Sequence, residues 1–347
     1  MSDIKKVRVG LIGCGGISGA HLPHLSKWED VELVAFCDIV VERAEKHAAT
    51  FGGNFYDSAE KMLANEKLDA AYILIPVYAH GDPERACIKA GVPFLNEKPC
   101  GINPDDLRKL VQEVKASGLI CASGFMNRYR DSVNKAKEIF SKDTPILMDG
   151  AWIGGPPLCK EGDYFSTAPI GKWWPIKSKS GGQMVEQVIH TVDLIRYIGG
   201  EVTEVTAYAA RGFNQKLPLI IKYYDIDDAM VLSFKFANGG VGNVMSCCSA
   251  QAGGGIFLNV WASEHTAKFN DWAHHVDIFT AGAETESIKG DIEEIFALED
   301  RAFITAIKTG DPSGIKCLYA DGVKSTLLAL AGNESLETGL PVKVQYE

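Results

Sequence analysis

The chain has 347 residues, 46% hydrophobic and 23% charged, which is long enough for two domains with separate cores. Its formal net charge of −10 excludes a polyanionic partner such as nucleic acid, because no Lys/Arg cluster offers the basic face such a partner needs. No window approaches the roughly 20 apolar residues of a membrane span, so no membrane association is expected.

The N-terminus, MSDIKKVRVGLIGCG, runs from charge straight into a short strand without a signal-peptide pattern, and the protein is expected to be cytoplasmic. The nine cysteines form no C-x-x-C pair, and Cys37, Cys87, Cys121 and Cys247 sit inside apolar runs. They read as reduced thiols acting as small core hydrophobes, and the odd count fits a reducing compartment.

Over the first 125 residues short β-branched runs alternate with helical patterns, the signature of parallel βαβ units in a doubly wound sheet. Strands are predicted over residues 7–12, 32–37, 70–75, 93–96 and 120–123, with helices over 18–28, 40–51, 83–90, 104–117 and 132–140. Ser58 is the expected N-cap of one more short helix.

VRVGLIGCGGISGAH places a strand, a glycine turn and a helix start in the order a dinucleotide fold requires. Gly13 makes the tight turn, Gly15 with Gly16 and Ile17 lets the backbone approach a pyrophosphate, and the helix N-terminus supplies oriented N–H groups. Ser18 occupies the third fingerprint position, where Gly or Ala is expected. Asp38 closes the second strand, where a carboxylate accepts from the adenosine ribose hydroxyls or caps the following helix, and where it repels a 2′-phosphate. The expected cofactor is therefore NAD rather than NADP. Pro76 and His80 follow the 70–75 strand and are expected on the nicotinamide side. The run FLNEKPC, residues 94–100, turns a buried strand abruptly into Glu97 and Lys98.

From about residue 146 longer alternating runs predict a second α/β domain with a large, mostly antiparallel open sheet, and the domain division is expected at 1–125 and 126–347. FANGGVG reads as a hairpin turn. A loop over residues 154–182, carrying Tyr164, Trp173 and Trp174, is expected to serve as a lid or platform. Two helices, around residues 299–310 and 319–336, are expected to close the second domain.

Within SGGQMVEQVIHTVDLIRYIGG one helix is predicted over 183–198, which puts Glu186, His190 and Asp193 at i, i+4 and i+7 on one face. Three readings stay open for that face: a metal site, opposed by a nearby Lys98; carboxylates paired with arginines such as Arg196 or Arg128; and general acid/base work, with a carboxylate one turn away fixing the histidine tautomer. Hydride transfer from an alcohol needs a group near the carbinol oxygen, and Lys98 at a strand's carboxyl end is suited to that role. Desolvation favours its neutral amine, whereas Glu97 or Glu186 nearby favours the ammonium.

With the glycine turn, NEKPCGIN, GFMNRY and GGQMVEQVIHTVDLIRYIGGE in hand, the chain resembles the glucose-fructose oxidoreductase and inositol dehydrogenase (Gfo/Idh/MocA) family from residue 7 to residue 342. The resemblance implies a Rossmann domain followed by an α/β domain whose open sheet forms homodimers or homotetramers. It implies that Lys98 and His190 sit at the carbinol with Glu186 as the accompanying acid; no metal is expected, because Lys98 opposes a divalent cation. Where inositol dehydrogenase-like members carry Asp before that histidine, this chain has Glu186.

The resemblance also implies an NAD(P)-dependent dehydrogenase acting on a CH–OH group of a sugar or cyclitol. Glu97 and Lys98 are expected to border the cofactor as well. Asn127, Tyr129, Trp173 and Trp174, with His190 and Asp193, are expected to hold the polyol, flat ring faces against aromatics and hydroxyls against polar groups. Two alternatives remain: transient oxidation by tightly held NAD that enables elimination or glycoside cleavage, and a non-catalytic NAD and sugar sensor.

Overall fold

The computed structural model describes residues 6–158, 169–217, 221, 223–290 and 294–347. The chain divides into two compact units, Met1–Met126 with Phe296–Val323, and Asn127–Ile295 with Lys324–Glu347. The boundary expected after residue 125 lies one residue from the observed one. Segment 296–323, expected in the second domain, instead joins the first. The cause is packing: Phe303, Ile304, Ala306 and Ile315 share a core with Val9, Leu11 and Tyr72, and the Ser123 N–H donates to the Cys317 carbonyl at 3.0 Å.

In the first unit the elements run β1 (Val7–Ile12), α1 (Ser18–Leu25), β2 (Val31–Cys37), α2 (Val41–Phe51), β3 (Asn54–Tyr56), α3 (Ala59–Asn65), β4 (Ala70–Ile73), α4 (Asp82–Ala90), β5 (Phe94–Glu97), α5 (Pro104–Ser117) and β6 (Cys121–Gly124). The six strands form one parallel sheet in the order β3-β2-β1-β4-β5-β6. Strand β4 stops two residues short of its predicted end, and β3 was not predicted, being too short and polar to show an apolar period. Ser58 caps α3 as expected, its hydroxyl accepting from the Lys61 N–H at 3.2 Å. Because Ile12 pairs with both Cys37 and Ile73, and Ile73 with Asn96, the residues that follow these strands line up along one carboxyl edge.

The second unit begins with α6 (Asp131–Phe140) and β7 (Leu147–Ile153), then α7 (Lys177–Ser180), α8 (Gln183–Glu186), α9 (Ile189–Gly199), β8 (Val202–Ala210), β9 (Ala229–Phe236), β10 (Val241–Cys247), β11 (Gly255–Trp261), β12 (His265–Asn270), β13 (His275–Thr280) and β14 (Glu286–Ile288). Helices α10 (Ile295–Thr309) and α11 (Tyr319–Thr338) and the short β15 (Val342–Lys343) complete the chain. Among the described residues nine strands form one sheet, order β14-β13-β12-β11-β7-β10-β9-β8-β15, antiparallel except where β10 runs parallel to β7. The predicted hairpin joins β9 to β10. Strands β7, β12, β14 and β15 were not predicted.

Residues 159–168 of the expected 154–182 loop, Tyr164 among them, lie outside the described residues. Its second half is not structureless: a 3-10 turn over Pro169–Lys172 and α7 shape it.

Phe303 is 1% exposed and packs edge-on against Tyr72 with ring centroids 5.6 Å apart. Phe303→Ala is expected to destabilise the first unit by about 3–5 kcal/mol, read by urea unfolding.

Candidate active site

At the carboxyl edge of the first sheet, Gly13 has φ +100°, and a Cβ there would lie 2.2 Å from the Leu74 carbonyl oxygen. Only glycine fits this turn. At Gly15 and Gly16 a Cβ would meet nothing within 4 Å, so both face open space beside the start of α1. Ile17 is the N-cap residue of that helix. Ser18, at the third fingerprint position, is buried and ties its hydroxyl to the Gly15 carbonyl at 2.7 Å.

Both Asp38 oxygens accept backbone N–H groups at 2.8 Å, from Cys14 and from Val40. The carboxylate thus fastens the glycine turn to the end of β2, and its remaining lone pairs can still accept from hydroxyls. Pro76 begins the 3-10 turn Val77–Ala79. His80 comes next, with a side chain that is 1% exposed; its Nδ1 lies 2.6 Å from Glu84 Oε1, and its buried Nε2 has no hydrogen-bond partner among the described residues.

The next strand over supplies Glu97 and Lys98. Lys98 is half-buried and precedes a cis Lys98–Pro99 peptide bond. Glu97 is 3% exposed, accepts from the Lys98 N–H at 3.1 Å, and lies 3.4 Å from Nε2 of the fully buried His21. Open space at Gly15 and Gly16, an unpartnered buried imidazole nitrogen at His80, and a carboxylate at Asp38 all fit an NAD molecule along this edge.

In the second unit the single helix expected over 183–198 is broken. The Val188 N–H reaches back five residues to the Gln183 carbonyl, widening the turn between α8 and α9. One inserted residue rotates the downstream helix by about 100°, so Glu186 does not keep the helical alignment with His190 that i, i+4 spacing implies. Every side chain of α8 is buried, as are most of α9, so no separate apolar stripe exists. Glu186 accepts the indole N–H of Trp174 at 2.9 Å. Trp174 is therefore no solvent-facing platform: it is 1% exposed and packs with Ile226, Tyr224 and Cys248, while Trp173 lies partly buried against that cluster.

Asp193 makes a bidentate pair with Arg128, at 2.6 and 2.8 Å, and accepts from the Ser325 hydroxyl at 2.7 Å. The arginine reading holds for Asp193, while Arg196 pairs with Glu201 at 2.9 Å. Glu186, His190 and Asp193 do not converge as ligands; among the described residues the one such trio is His21, His24 and Asp300. His190 is 5% exposed, stacked near Trp152 and edge-on to Trp272 with ring centroids 5.3 Å apart. Asn127 is buried, its Oδ1 held by Arg130 at 2.8 Å and its Nδ2 without a partner among the described residues, and Tyr129 beside it is half-buried.

Sequence reading missed Trp152, Trp272 and His21. Trp152 had a signal, since it shares a strand face with Met148 and Gly150, two residues apart each time; Trp272 lies in a turn and had none. The pair His21 and His24, three apart on one helix, was visible but unread.

Residues 7–125 match the family model described as oxidoreductase family, NAD-binding Rossmann fold, and residues 155–268 match the GFO/IDH/MocA C-terminal domain. The chain belongs to the GFO/IDH/MocA family. It is 26% identical to scyllo-inositol 2-dehydrogenase (NAD(+)) of Bacillus subtilis, over 99% of this chain and 97% of that protein. It is 25% identical to Myo-inositol 2-dehydrogenase of Thermotoga maritima, covering 98% and 99%. The fold matches that of the WlbA dehydrogenase from Chromobacterium violaceum, solved with NADH and UDP-GlcNAcA, with TM-score 0.82 and 20% identity over 100% and 98% of the two chains. This GFO/IDH/MocA protein is an NAD-dependent oxidoreductase. Among its described residues no helix is long and apolar enough to cross a membrane.

Gly15→Val fills the open space beside α1 and is expected to weaken NADH binding by roughly tenfold or more in fluorescence titration, with the melting temperature little changed. Asp193→Asn strips the buried Arg128 of its charge partner and is expected to cost about 3–5 kcal/mol in urea unfolding.

Proposed function

We propose that this enzyme moves a hydride between NAD and a secondary alcohol or ketone of a cyclitol or sugar. The observation that carries the reading is the position of Lys98, which directly follows β5 on the carboxyl edge that also holds Gly13 and Asp38. The full-length similarity to scyllo-inositol and myo-inositol 2-dehydrogenases supports the substrate class.

The chemistry a bound NAD would supply is acceptance of the hydride from the carbinol carbon. Gly13, Gly15, Gly16 and Ile17 would hold its pyrophosphate at the start of α1, and Asp38 would accept from the adenosine ribose hydroxyls, disfavouring a 2′-phosphate. Pro76, His80 and Glu97 border the nicotinamide end. Lys98 takes the hydroxyl proton as the carbonyl forms and returns it in the reverse direction. His190 holds or shuttles the proton of the same or the adjacent hydroxyl, and Glu186, anchored by Trp174, precedes it as the accompanying acid.

Trp152 and Trp272, half-buried beside His190, offer ring faces to the apolar face of a polyol. Asn127 offers an amide donor and Tyr129 a phenol; Trp173 contributes less, and Trp174 supports the site from the core. The unshared face of the nine-stranded sheet carries the exposed apolar residues Leu147, Tyr208, Val231 and Val241, which suits a second copy of the chain. Eight free thiols among the described residues, seven of them buried, suit a reducing cytoplasm.

Thermal-shift screening of inositols and simple sugars with NAD present is expected to single out cognate ligands by their stabilisation, which grows as ln(1 + [L]/Kd). With the best of these, Lys98→Ala is expected to lower kcat by about 10²-fold or more while NADH binding stays intact. Unchanged turnover in that variant refutes the assignment of Lys98.

A further inference from the structure

His21 is fully buried in the first unit and sits between two carboxylates. Its Nδ1 lies 2.9 and 3.0 Å from the two oxygens of Asp300, 279 residues later on α10. Its Nε2 faces Glu97 Oε1 at 3.4 Å, an ion-pair contact short of an aligned hydrogen bond, and neither atom has a hydrogen-bond partner among the described residues. Glu97 in turn accepts the backbone N–H of Lys98 through its other oxygen, at 3.1 Å. Asp300 is shared with His24 of α1, whose Nε2 hydrogen-bonds to it and whose side chain is 19% exposed. The result is one chain of contacts, His24 to Asp300 to His21 to Glu97 to the Lys98 backbone.

The walls around this chain are mostly apolar or neutral. Tyr72 and Phe296 press against the His21 ring with centroids 5.5 and 5.3 Å away. Burial, with Asp300 and Glu299 nearby, raises the Tyr72 phenol far above its ordinary range and keeps it neutral. Burial opposes a charge on His21, yet Asp300 and Glu97 outweigh it and push the imidazole up to about 10. Burial likewise opposes the Asp300 charge, and the two histidines reverse that, so its carboxyl is lowered. Arg301, also on α10, has its guanidinium engaged by Asp30 at 2.9 Å.

An uncompensated carboxylate at Glu97, the residue before Lys98 and bonded to its backbone N–H, favours a positive charge in its surroundings. A cation on its far side removes that bias. We propose that His21 is a positioning residue for Lys98: clamped between Asp300 and Glu97, it cancels the Glu97 charge and fixes the strand end that carries the lysine. The role rests on the reading of Lys98 as the proton-transfer group, but its electrostatic core does not need a substrate to be measured.

The test is the titration of Lys98 in the full-length protein, followed by NMR after reductive ¹³C-methylation and assigned by the signal that Lys98→Arg removes. His21→Gln leaves Glu97 uncompensated, and the Lys98 midpoint is expected to rise by about one pH unit. Glu97→Gln alone removes that carboxylate while His21 keeps Asp300, and it is expected to lower the midpoint. The double variant H21Q/E97Q returns the midpoint toward that of the parent protein, which a loss of packing alone does not do. An unchanged midpoint in H21Q, or a rise that persists in the double variant, overturns the proposal. If H21Q does not fold, Asp300→Asn carries the same test, since it removes the larger of the two carboxylate contributions that keep His21 charged; the midpoint must again rise, and no change overturns the proposal. With a turned-over polyol, the limb of log kcat/KM set by Lys98 moves with the NMR midpoint. If the midpoints move as stated while Lys98→Ala keeps full turnover, the dehydrogenase role of Lys98 fails and the electrostatic clamp stands.

Discussion

A parallel sheet buried along its strands has no room for a polar side chain except where the strands end. Strands β4, β5 and β6 are buried at every position, and β1 and β2 at their carboxyl halves. Chemistry is therefore confined to the carboxyl edge, where the register aligns Gly13, Asp38, Leu74 and Glu97 in one row. The glycine turn, the Asp38 carboxylate and Lys98 share this edge because the sheet allows them nowhere else. The close approach of Gly13 to the Leu74 carbonyl is the tightest expression of this constraint, and it is why that position tolerates no side chain.

Burying charge at that edge requires partners, and each unit meets the requirement in its own way. In the first, Asp38 is satisfied by backbone N–H groups and Glu97 by His21 and the Lys98 N–H. In the second, α9 is buried on nearly all sides, so Asp193 is held by Arg128 and Ser325 and Arg196 by Glu201 and Ser325. Removing one member of such a pair strands its partner in a medium that solvates charge poorly, which makes these pairs sensitive to substitution even where they contact no ligand.

His190 sits among aromatic rings. Trp152 and Trp272 border it, and Arg130 lies over the Trp272 ring at 5.9 Å. The widened turn at Gln187 and Val188, just before His190, is the local irregularity that goes with this placement.

The sequence alone determined the elements and residues governed by local rules. Alternating periodicity marked the parallel strands, the glycine turn required φ above zero at Gly13, Ser58 capped its helix, and a strand ending in Glu-Lys-Pro put Lys98 at an edge. Only the tertiary structure decided the rest. Trp174 belongs to a core rather than a platform, Asp193 to Arg128 rather than to a substrate face, residues 296–323 to the first unit, and His21 to Asp300. The physical reason is common to all four. Local pattern states that a residue needs burial or a counter-charge, but the partner that meets the need is chosen by packing summed over the whole core, and in the case of His21 it lies 279 residues away.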